Sequence, residues 1–121
     1  MAILITTTGE TKHVTPGDPE TGFDLEELYA MLSCHTVEMV ELAEGQDPDG
    51  HAAMLMDENG KLESKPTNHI ATGIRAATFN LDPEDLIRTG DHIVGDVLLV
   101  TQKEFHCAQR VPLPGGAPGG L

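Results

Sequence analysis

The sequence predicts a single small domain of the α+β class, with a mixed or antiparallel sheet and two or three short helices. Three observations lead there. Short β-prone runs occur near the start, middle and end of the chain, separated by turn signals. A helix start with a full capping signature stands at residue 24. The 121 residues are the length of one compact domain, able to bury a modest core, and too short for two domains. With no Trp and only Phe23, Tyr29, Phe79 and Phe105, that core has to be aliphatic.

Taken in order, AILIT at 2–6 is a short strand, and TTGETKHV at 7–14 returns as a second. TPGDPETG at 15–22 is a loop. Asp24 as N-cap and Glu27 three residues on form a capping box, and Phe23 with Leu28 close a hydrophobic staple. Leu25, Leu28, Tyr29 and Leu32 recur at helical spacing, which predicts an amphipathic helix over 25–33.

TVEMVEL at 36–42 reads as a strand, with a helix as the alternative, because its charges do not alternate cleanly. Glu38 shares a face with Val40 and Leu42, and Glu41 one with Val37 and Met39. AEGQDPDG at 43–50 is an acidic loop. HAAMLM at 51–56 is a strand that turns at Asn59-Gly60, and KLES at 61–64 is the expected return strand of that hairpin. Pro66-Thr67-Asn68 starts a helix through about Ala77, with Ile70, Ile74 and Ala77 expected inward. Asp82-Pro83 starts another, which Gly90 ends. HIVGDVLLVT at 92–101 is the most apolar run and the expected central strand, with Gly95 at a bulge or close approach. The domain thus covers 1–107, and 108–121, Pro/Gly-rich from Val111, is expected to be a flexible tail.

Four segments in this order resemble the DUF3846 family of small domains: LEELYAMLSCHTVEMVEL at 25–42, DENGK at 57–61, Asn68–Thr72 and IVGD at 93–96. The resemblance covers about residues 25–103. The sequence departs from it at Ser33, where the family usually has a Gly. The resemblance implies no established activity. It does imply an origin in phages, plasmids and other mobile elements, often beside small anti-restriction proteins, and so a small accessory protein that binds something.

Charge narrows the partners. The net charge is −13, which sets the surface against the phosphate backbone of nucleic acids and against an anionic membrane. The imbalance sits in residues 1–50, with eleven carboxylates and one base, whereas residues 51–121 carry nine and six. Nothing reads as a signal peptide or a membrane span, and two cysteines make no disulfide framework. The expected compartment is the cytoplasm.

Most catalytic and metal chemistries find no pattern. A metal site would need Cys34 or His35 to meet His106 or Cys107 across the fold, helped by His51, and no C-x-x-C spacing is present. The stretch from Gly45 does not fit a calcium loop, since Gly45 and Met56 fall on its first and twelfth ligand positions. There is no nucleophile elbow and no phosphate-cradling glycine motif. No cofactor and no enzymatic activity are expected.

Two binding modes remain. Glu26, Glu27, Glu38, Glu41, Glu44, Asp47 and Asp49 form an acidic surface that would occupy a basic site on a host protein, countering host defence. Alternatively, Lys65, Asn68, Thr72 and Arg75 would hold a small phosphate-bearing nucleotide at a helix start, at the interface of a homo-oligomer. The plain reading of the same residues is N-capping by Thr67 or Asn68 with Ala71 packed inward. A metal-dependent hydrolase is the third reading.

Overall fold

The computed structural model describes residues 2–18, 20, 22–42 and 51–101. Eight elements follow one another: β1 (Ala2–Ile5), β2 (Thr11–Val14), α1 (Leu25–Leu32), β3 (Val37–Glu41), β4 (His51–Asp57), α2 (His69–Thr78), α3 (Pro83–Thr89) and β5 (Val97–Thr101). The strands form one five-stranded sheet in the order β2-β1-β5-β4-β3, and every neighbouring pair is antiparallel. The α+β expectation holds, in its antiparallel form, and β5 is the central strand.

The inner strands explain why their sequences are continuous apolar runs. Along β1, β4 and β5 alternate side chains enter two separate cores. Ala2, Ala53, Leu55, Leu98 and Val100 join Leu28 and Leu32 of α1 on one face. Ile5, Met54, Met56, Val97 and Leu99 join Ala71 of α2 on the other, with Ile74 packed against them. Helices therefore cover both faces, and a strand buried on both sides has no polar face to show.

α1 carries the capping box that its sequence announces. Asp24 accepts from the Glu27 N–H at 2.8 Å and Glu27 accepts from the Asp24 N–H at 3.2 Å. The helix ends at Ser33 in the left-handed region, φ 51°. That conformation favours glycine, so Ser33 takes up a strained position at the helix end. α3 is capped by Asp82, starts with Pro83 and closes on Gly90 at φ 84°.

Three expectations are corrected. Residues 61–64 form turns and no return strand. One edge of β4 is taken by β3 and the other by β5, so no hydrogen-bonding edge remains for them. Gly60 is needed for space: a Cβ there would stand 2.8 Å from Val94 Cγ2. The last strand begins at Val97, because Val94 bridges to Thr67 and Gly95, φ 77°, bends the chain. On α2, Ala71, Thr72 and Ala76 are buried, Ile74 is half-buried, and Ile70 and Ala77 are exposed. Asn68 below them is fixed in the core and sets that rotation. The expected strand at 36–42 is present as β3, an edge strand, and its position explains why it carries charge on both faces. The acidic loop 43–50 and the tail 108–121 lie outside the described residues.

Candidate functional site

Of the four residues expected to hold a nucleotide, Lys65, Asn68 and Thr72 have their side-chain polar groups engaged within the protein and Arg75 does not. Asn68 is fully buried. Its Oδ1 accepts from the Ala71 N–H at 3.0 Å, while its Nδ2 donates to the Ile5 carbonyl at 3.0 Å and the Gly95 carbonyl at 2.9 Å. It is the N-cap of α2 and also ties that helix to the ends of β1 and the 92–96 segment. Thr72 is equally buried, donating to the Asn68 carbonyl at 2.8 Å and accepting from the Ile93 N–H at 3.0 Å. Both have their polar atoms taken up by the backbone.

Lys65 is likewise committed. Its Nζ donates to the Ser33 carbonyl at 2.8 Å and the Leu32 carbonyl at 3.1 Å, which caps the C-terminus of α1. The same nitrogen pairs with Asp57 Oδ2 at 2.7 Å, where the carboxylate is 2% and the lysine 18% exposed. Burial works against ionisation of Asp57, yet its carboxyl is held below the usual aspartate range because Lys65 and the Asn59 N–H outweigh that cost. Beside it the buried Cys34 thiol is pushed up, first by desolvation and then by the Asp57 charge. A thiol held protonated in this way is a poor nucleophile.

Arg75 stands apart. It lies on α2 with its guanidinium 5.6 Å from the centre of the Phe79 ring, a cation–π contact. Its side chain makes no hydrogen bond or ion pair with any described residue, and its Nε is buried without a partner. It lines an open pocket of about 230 Å3. Glu38 and Val40 of β3 and Met56 and Asp57 of β4 form one wall. The turn after β4 adds Glu58 and Lys61, and the segment before β5 adds Asp91, His92, Ile93 and Val94. Lys61 Nζ donates to the Gly90 carbonyl and links that turn to the end of α3. His92 has the same peculiarity as Arg75, a buried Nδ1 that meets no partner among the described residues.

Sequence reasoning placed Arg75 at a binding site and missed His92, Glu58 and Asp91. The run HIVGDVLLVT at 92–101 reads as one strand, and that reading hides the irregular 92–96 stretch to which His92 belongs. No local spacing joins residues 38, 58, 75 and 92; only the sheet order brings them together.

The acidic residues divide. Glu26, Glu38 and Glu41 are exposed and pair with no lysine or arginine among the described residues. Glu27 is used up by the Gly17 and Asp24 N–H groups. Glu44, Asp47 and Asp49 lie outside the described residues, as do His106 and Cys107. His51 is buried at the start of β4, opposite Thr101. Among the described residues no three His, Cys, Asp or Glu side chains are grouped to hold a metal ion, and no helix is long and apolar enough to cross a membrane.

A family model described as a domain of unknown function, DUF3846, matches residues 1–108. No curated protein and no solved structure matches the chain.

Proposed function

The chain belongs to the DUF3846 family, and on that premise we propose that it is a non-catalytic binding domain that holds a small polar molecule in the Arg75 pocket. One observation carries this reading: Arg75 and His92 line one pocket, and each keeps a buried nitrogen that meets no partner among the described residues. A buried donor or acceptor left unmet costs about 1–3 kcal/mol, so a bound polar molecule that draws either side chain towards the pocket recovers free energy there. Every residue of the pocket lining comes from one chain, so this reading calls on no oligomer interface. In an accessory protein of a phage or plasmid, such binding would act by withdrawing the molecule from the host. Native mass spectrometry of the protein as purified, repeated after denaturation, tests it. The expected result is a small-molecule increment that Arg75→Met removes; bare protein in every preparation speaks against it.

A second reading is favoured by the exposed and unpaired Glu26, Glu38 and Glu41: occupancy of a basic surface on a host protein, steered by charge and weakened by salt. Because Glu38 also lines the pocket, Glu26 and Glu41 separate the two. Glu26→Lys with Glu41→Lys abolishes salt-sensitive partner capture if the acidic surface is the binding element. It leaves the bound molecule in place if the pocket is.

A further inference from the structure

The charges that line the pocket define the chemistry of what it takes. Four carboxylates face two cations there: Glu38, Asp57, Glu58 and Asp91 against Lys61 and Arg75. Three of these six are already engaged. Asp57 is neutralised from outside by Lys65, Lys61 donates to the Gly90 carbonyl while keeping its charge, and Asp91 Oδ2 accepts from the Thr89 hydroxyl at 3.3 Å. What remains without an ion pair is Arg75 on α2 and three carboxylates, Glu38, Glu58 and Asp91. Although they share one pocket, none of the three forms an ion pair with the guanidinium. Opposite charges held around one space without meeting leave room for a molecule that bridges them.

We infer that the pocket takes a small zwitterion of the α-amino-acid kind, its carboxylate on Arg75 and its ammonium among Glu38, Glu58 and Asp91. This rests on the pocket reading above and deepens it. Arg75 offers a forked pair of donors that suits a planar carboxylate. The ammonium offers donors to carboxylates that lack a cation. The apolar residues of the lining, Val40, Met56, Ile93 and Val94, suit a short aliphatic side chain.

Two facts turn the choice away from the phosphate-bearing nucleotide that Lys65, Asn68, Thr72 and Arg75 had pointed to. A phosphate brings up to two negative charges into a pocket whose lining, with Asp57 paired to Lys65, already carries three carboxylates against Lys61 and Arg75, and like charges in a partly desolvated site repel. The volume, about 230 Å3, also falls below the roughly 300–1,000 Å3 of pockets that bury drug-sized ligands.

The test is saturation-transfer NMR on the full chain with a pool of the protein α-amino acids. It continues with the deaminated and decarboxylated analogues of whichever member responds, and with adenosine monophosphate. The expected result is that at least one amino acid binds and that each single-charge analogue binds more weakly by roughly tenfold, the scale of losing one charged hydrogen-bond pair. Arg75→Met and Glu58→Gln each weaken the amino acid by a similar factor. Glu58 is exposed on a turn, so its variant keeps the test decisive if Arg75→Met fails to fold. Nucleotide binding that depends on Arg75, with the amino-acid pool silent, overturns the zwitterion and leaves the pocket reading standing. No probe binding to the wild-type chain overturns both.

Discussion

Replacing Asn68 by aspartate changes one atom type at the point where α2, β1 and the 92–96 segment meet. The introduced carboxylate still accepts from the Ala71 N–H, so the helix cap survives. It can no longer donate to the carbonyls of Ile5 and Gly95, which lie 3.0 and 2.9 Å from Nδ2. Each buried acceptor left unmet costs about 1–3 kcal/mol, which puts Asn68→Asp at about 2–6 kcal/mol, a large share of the roughly 5–15 kcal/mol that holds a domain folded. Facing two carbonyl oxygens without water, the new carboxyl has its folded pKa raised above the unfolded value. The folded state then binds more protons between the two values, so the deficit is greatest above the raised pKa. It shrinks as pH falls through that value towards about 4. Urea unfolding of wild type and variant across that range measures both the size and the slope. A deficit below about 1 kcal/mol, or one that grows in acid, refutes the role given to Asn68.

Other outcomes follow from the same contacts. Lys65→Met leaves Asp57 as an unpaired charge with its side chain 2% exposed, and should cost about 3–5 kcal/mol in urea unfolding. Because the folded pKa of Asp57 is depressed, the pair's contribution is present above the ordinary aspartate value, about 3.9, and is lost as pH falls through the folded value. Asp57→Asn should therefore flatten the acid limb of the stability curve. Two glycines separate crowding from helix propensity. Gly60→Ala drives a Cβ into Val94 at 2.8 Å and should lower stability by about 1–3 kcal/mol. Gly73→Ala within α2 meets nothing within 4 Å and should raise it by about 0.5–1 kcal/mol. Equal effects of the two in thermal melts would contradict the packing described here.

How much of this the sequence discloses depends on how far the signal reaches. The capping box at Asp24 and Glu27 and the Asp82-Pro83 helix start are legible because the residues that make them are three apart or fewer. Gly95 is legible as a close approach, since glycine in an apolar run has few other uses. The return strand at 61–64 misleads because Asn59-Gly60 has the composition of a tight hairpin. Whether β4 has a free edge is decided by β5, some forty residues later. The rotation of α2 is hidden for a similar reason: Ile70 looks like a core residue until buried Asn68 fixes Ala71 and Thr72 inward. The residues expected to bind split along the same line. Asn68 and Thr72 have the polar groups of a ligand site, but the backbone carbonyls and N–H that occupy them come from distant segments. The Arg75 guanidinium is left with Phe79 alone, because no acceptor among the described residues is brought within reach of it.

Amide chemical-shift mapping on isotope-labelled protein, titrated with the amino-acid pool, tests most directly whether binding runs through the Arg75 pocket. The prediction is a saturable change confined to residues around 38, 56–61, 75 and 91–94 that disappears in Arg75→Met. Saturable shifts that instead follow Glu26 and Glu41, or a spectrum unmoved at the highest concentration, would contradict it.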